Sequence, residues 1–126
     1  MTATALLAAA ILAQSAFSLA LEPAAPEQTD VGFEALARGA PEEAIARIEA
    51  NSALASDDPA ALINLGNAYA QLGETDKALR HYRAAVDSRT RYDLELADGR
   101  WMDSRRAARE ALNDLNRAVT RQAIRR

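Results

Sequence analysis

The stretch "ALINLGNAYAQLGETDKALRHYRAA", Ala61 to Ala85, decides how this chain is read. Leu62, Leu65 and Tyr69 recur at helical spacing along one face. Asp57 or Asp58 can cap that helix, with Pro59 at its first position, where a missing N–H costs nothing. Gly66 falls inside the helix, where glycine costs about 1 kcal/mol against alanine, so the close approach of a partner helix must compensate. Gly73 follows "AQL" and suits the left-handed position that ends a helix. Thr75 or Glu74 then opens a second helix, with Asp76 placed favourably for the dipole of its first turn. Ala78, Tyr82 and Ala85 form its packing stripe. Ala78 is small enough for the two helices to cross closely, and Tyr82 fills the space one turn later.

The pattern recurs. Shifting the chain by 34 residues places Gly32 on Gly66, Gly39 on Gly73, Ala44 on Ala78, Ala50 on Ala84, Ile45 on Leu79 and Ile48 on Tyr82. Such a period is the signature of a helix–turn–helix repeat. The segment resembles the tetratricopeptide repeat family, whose pattern runs W-x₂-L-G-x₂-Y, then A, then x₃-F, then P. Leu62 holds the tryptophan place, while Leu65, Gly66 and Tyr69 match directly. Ala78 takes the alanine place, Tyr82 the phenylalanine place and Ala85 the later small position; Thr90 stands where the closing proline would be. Residues 57–90 thus read as one repeat. Residues 30–56 read as a degenerate or truncated copy with a short first helix.

The resemblance implies stacked helix pairs that present a groove to another polypeptide. It also implies that the first helix of each pair lines the concave face. That assigns Ile63, Asn67, Ala70 and Gln71 to a partner-binding groove, joined by Phe33 and Arg38 from the weaker copy. Asn67 matches an asparagine that some family members use to hold a peptide's terminal carboxylate. The cations of that clamp are missing, and Ile63 stands where a lysine would be expected.

Beyond Thr90 the period changes. Tyr92, Leu94 and Leu96 alternate with Asp93 and Glu95, a strand signal, and Asp98–Gly99 suits a two-residue hairpin turn. That turn would set Leu96 opposite Trp101, with Leu94, Leu96 and Trp101 against the helices; an irregular loop over 91–103 is the alternative. Trp101 is read as a packing residue, with a ligand-stacking platform as the lesser reading. Asp103 or Ser104 then caps a final helix over 104–126. Its buried stripe is Ala108, Ala111, Leu112, Leu115 and Val119. Arg105, Arg106, Arg109, Glu110 and Arg117 give the polar outer side of a terminal cap, or alternatively a docking patch.

Composition bounds the function. A chain of 126 residues is one domain with little room for a large catalytic cleft. It has no cysteine and one histidine. His81 therefore reads as an exposed helix residue, and no metal, cofactor or catalytic activity is expected. Net charge is −3, divided as −7 over residues 1–70 and +4 over 71–126. This division fits solvated faces of opposite sign, or a basic tail for an acidic partner. Residues 1–20 carry an uncharged apolar run with small residues at Ser18 and Ala20, the pattern of a cleaved export signal; 21–29 follow as a linker. A retained anchor is the alternative, because the run approaches the ~20 residues needed to span a bilayer.

The expected molecule is an all-α, TPR-like fragment of an α-solenoid, with a short β-hairpin or loop and a C-terminal capping helix, exported to the periplasm. Its expected activity is non-catalytic binding of a protein or peptide. The alternatives are an assembly factor anchored in the inner membrane by its N-terminal segment, and a binder of anionic ligand or nucleic acid through the arginine-rich helix. Two repeats fall short of the three usually needed for stability. The hairpin and last helix, a partner, or a second copy must complete the core.

Overall fold

The computed structural model describes residues 31–51 and 56–126. The expected signal and linker lie outside them. Five helices and a small sheet follow in order: α1 (Phe33–Ala37), α2 (Pro41–Ala50), α3 (Pro59–Gln71), α4 (Thr75–Asp87), β1 (Asp93–Glu95), β2 (Trp101–Asp103) and α5 (Ser104–Ile124). The fold is an all-α, TPR-like arrangement with one two-stranded antiparallel sheet.

The two helical hairpins share one turn. Gly39 and Gly73 both have φ of +74°. Gly73 N–H donates to Ala70 O at 3.1 Å and Glu74 N–H to Tyr69 O at 2.9 Å; in the first copy Gly39 N–H donates to Leu36 O at 3.0 Å and Ala40 N–H to Ala35 O at 2.9 Å. Both sets of bonds follow the Schellman pattern, which satisfies the last carbonyls of a helix and needs a left-handed residue that glycine supplies without strain.

The other glycine pair is equivalent in sequence but not in conformation. Gly32 precedes α1 with φ of +72°, whereas Gly66 lies within α3. α1 begins directly after Gly32, so the first copy lacks the turns that α3 builds before Gly66. Each glycine still marks a close approach. A Cβ at Gly32 would stand 3.0 Å from Ala44 O, and one at Gly66 only 2.4 Å from the Tyr82 ring. The obstacle at Gly66 is thus a side chain of the partner helix rather than its backbone.

Caps select one residue from each expected pair. Asp58 accepts from Ala61 N–H at 2.9 Å, and Asp103 accepts from Arg106 N–H at 3.0 Å. Glu74 occupies the N-cap position of α4 without a side-chain bond to the helix backbone. Ser88, buried just after α4, ties the end of that helix back to the residues ahead of α3. Its hydroxyl donates to Asp57 O at 2.6 Å and accepts from Thr90 N–H at 3.0 Å.

Alanines dominate the interior. Of the thirteen buried hydrophobic residues described, eight are Ala35, Ala44, Ala61, Ala68, Ala78, Ala85, Ala107 and Ala108. One cluster joins Ala35, Leu36 and Ala44 of the first hairpin to Ala68 of α3. A second joins Leu62 and Ala85 to Ala108 of α5, so the last helix completes the core of the better repeat.

Two expectations about the C-terminal third are corrected. The strands pair Asp93 with Asp103, Leu94 with Met102 and Glu95 with Trp101. This sets Leu96 opposite Arg100, to whose carbonyl it donates at 2.7 Å, and leaves a three-residue loop Ala97–Asp98–Gly99 with Gly99 at φ of +79°. A one-residue change of register moves a side chain to the other face. Met102 is therefore buried beside Leu94, and Trp101 is 67 % exposed rather than packed. In α5 the buried face holds Ser104, Ala107 and Ala108, with Ala111, Leu112 and Leu115 half-buried. Val119 is exposed, because from Asn116 onward every residue of the helix is solvent-facing.

Candidate functional site

Five of the six residues assigned to the groove lie around one cavity of about 560 Å³. Ile63, Asn67, Ala70 and Gln71 come from α3, and Phe33 from α1. Helical spacing of three to four residues places the α3 group on one face. Arg38 is not among them. It sits in the turn after α1, where its guanidinium donates to Glu43 at 2.9 Å and is held on the outer surface.

The resemblance does not announce the opposite wall. Leu94, Glu95, Leu96 and Ala97, from β1 and its loop, line the cavity together with Ala107 of α5. No helical period announces residues that reach the groove from a separate hairpin. Leu36 and Val31 add to the apolar lining, and Phe33 stands half exposed at 50 %.

The polar groups of the groove are largely engaged. Tyr82 Oη donates to Asn67 Oδ1 at 2.6 Å, and Asn67 Nδ2 donates to Asn64 Oδ1 at 3.4 Å. Asn64 Nδ2 donates to Val31 O at 2.9 Å, which pins the entry of the chain against α3. Gln71 Nε2 reaches Leu36 O at 3.4 Å. Burial, helped by the charge of Asp114, pushes the Tyr82 hydroxyl up to about 12. It therefore stays protonated and donates to Asn67 throughout the physiological range. With its carbonyl occupied by Tyr82, Asn67 serves as a structural link between α3 and α4.

Glu95 is the single charged residue in the described lining. The cavity accordingly offers apolar contact with one anionic point at its edge. On the far side of the repeat, His81 stacks on Tyr69 with ring centroids 5.1 Å apart, and Lys77 Nζ lies 5.1 Å from the Tyr69 centroid. His81 is thereby half-buried rather than exposed as expected.

This glycine-turned helix pair, with Gly66 beneath the Tyr82 ring and Ala78 fully buried, coincides with a family match. Residues 59–87 match the family model for the tetratricopeptide repeat. The chain carries a tetratricopeptide repeat. A search of curated proteins and a search of solved structures each found no match. Repeats of this family typically serve as interaction scaffolds, which suggests a protein–protein interaction module.

Proposed function

We propose that this protein is a non-catalytic adaptor of the bacterial periplasm whose groove takes an apolar segment of a partner protein. The observation that carries the reading is the meeting of Ile63, Asn67, Ala70, Gln71 and Phe33 round one apolar cavity, closed on its other side by the hairpin. A volume of about 560 Å³ falls within the range in which small ligands and side chains are held. The periplasmic placement rests on the apolar, uncharged run ahead of "LEPAAPE", which suits cleaved export.

The arginine-rich reading of α5 has less behind it. Arg106 pairs with Glu110 at 3.0 Å, Arg117 pairs with Asp114, and Arg105 donates to Ser88 O at 3.1 Å. Several of the cations that would form a docking patch are therefore engaged within the chain.

The experiment is site-specific photo-crosslinking in intact cells, with the probe at Ala70 or, as a control, at Arg109. Adducts to a protein from Ala70, lost on Phe33→Asp, support the groove. Equal adducts from both positions overturn it. Intact-mass analysis of the exported protein tests the location: loss of residues 1–20 fits the periplasmic form, and their retention fits the membrane-tethered alternative.

A further inference from the structure

The hairpin wall of the groove is the free edge of a β-sheet. Only two strands are present among the described residues, so β1 is paired on one side alone. The hydrogen bonds fix which side that is. Leu96 N–H donates to Arg100 O, and Ser104 N–H donates to Tyr92 O. With Leu94 opposite Met102, the backbone groups of Tyr92, Leu94 and Leu96 face β2. Successive residues of a strand point their backbone groups to opposite edges. Glu95 N–H, Glu95 C=O and Ala97 N–H therefore face away from β2.

Glu95 and Ala97 both line the groove, and so do Leu94 and Leu96. Side chains of adjacent strand residues lie on opposite faces, so four consecutive residues reach one cavity when the strand presents its edge to it. A row of unpaired donors and acceptors along an apolar groove is a template for another strand. Glu95 adds a carboxylate with no ion-pair partner among the described residues.

We infer that the partner segment is an extended polypeptide that adds as a third strand to the free edge of β1, apolar at alternate positions and carrying a lysine or arginine beside Glu95. This rests on the groove reading above and specifies the conformation and charge of its occupant. Main-chain bonds to Glu95 and Ala97 supply register, alternate side chains enter the cavity beside Ile63 and Ala70, and the carboxylate of Glu95 selects the cation.

Ala97→Pro provides a clean test. Ala97 is the second residue of the turn closed by the 2.8 Å bond from Gly99 N–H to Leu96 O, a position where the fixed φ of proline is favoured. Leu96 before it continues the ladder beyond β1, its N–H bonded to Arg100 O, and extended backbone is what a residue preceding proline prefers. The substitution leaves the turn intact and deletes one donor from the free edge. The full chain is used to select from a random decapeptide display library, and enriched peptides are measured against parent, Ala97→Pro, Glu95→Gln and Phe33→Asp.

Expected are peptides with period-two apolar alternation and a lysine or arginine. Their affinity should fall at least tenfold on Ala97→Pro with no loss of melting temperature, and fall on Glu95→Gln. Peptides weakened by Phe33→Asp but indifferent to Ala97→Pro would overturn strand addition while leaving the groove in place. Peptides with helical three-to-four spacing would do the same. Indifference to both variants, or no enrichment, would overturn the two readings together.

Discussion

Gly66 and Tyr82 form one unit. The ring of Tyr82 occupies the place where a Cβ at Gly66 would stand, at 2.4 Å from it. Gly66→Ala gains about 1 kcal/mol in helix propensity but forces overpacking worth about 1–3 kcal/mol. The buried, tethered ring cannot swing aside, so the variant should be net destabilised. Urea titration is expected to show a lower midpoint, and the cost should largely vanish in a Tyr82→Leu background, as a double-mutant cycle would reveal. The two perturbed tyrosines also set an alkaline limit. Tyr82 is raised from 10.0 to about 12, mainly by burial, and so is Tyr92, by burial and by its 2.7 Å bond to Asp58. A raised folded value means that the native state holds these protons more tightly than the unfolded chain. Their contribution is fully present below pH 10 and is lost as pH rises towards 12. Urea midpoints across this window should fall, and Tyr82→Phe should reduce the slope.

At the scale of elements, the hairpin separates what alternation can and cannot specify. The pattern Tyr92, Leu94, Leu96 located β1, but Asp98–Gly99 fits both a two-residue turn and the end of a three-residue loop. The second is adopted, with Gly99 left-handed after a turn, and one residue of difference exchanges Trp101 for Met102 as the inward residue. Met102→Ala should therefore cost about 2 kcal/mol or more, whereas Trp101→Ser should stay within about 0.5 kcal/mol. Thermal melts of both variants check the register, and the reverse order would contradict it. The helical hairpins were more legible because their signals are local. Gly39, Gly73, Pro59 and Asp58 each act within a few residues of their position. The site divides in the same way: the α3 wall is what the resemblance to the repeat family implies, but the β1 wall depends on how a distant hairpin docks. Arg38 stands apart from the cavity because its pairing partner Glu43, which turns it outward, lies across a bend.

At the scale of the molecule, α5 completes the core that the helical hairpins leave open. Ala108 joins Leu62 and Ala85 in one cluster, and Arg105 caps the carbonyl of Ser88. Removing residues 92–126 should abolish cooperative melting, observed by circular dichroism. Removing 120–126, which are exposed throughout, should leave the melting temperature nearly unchanged. A truncated chain of residues 1–91 that still melts cooperatively would show that α5 is dispensable.

The alanine-built interior also gives the protein a lopsided tolerance of change. Where Ala44, Ala68, Ala78 and Ala108 are wholly enclosed, there is almost no side-chain volume left to remove. Trimming to glycine costs about 1 kcal/mol in helix propensity alone, while each added methyl wedges main chains apart and is felt through the whole stack. Change at these positions is thus penalised in both directions, and the spacing between helices is guarded by an upper size limit.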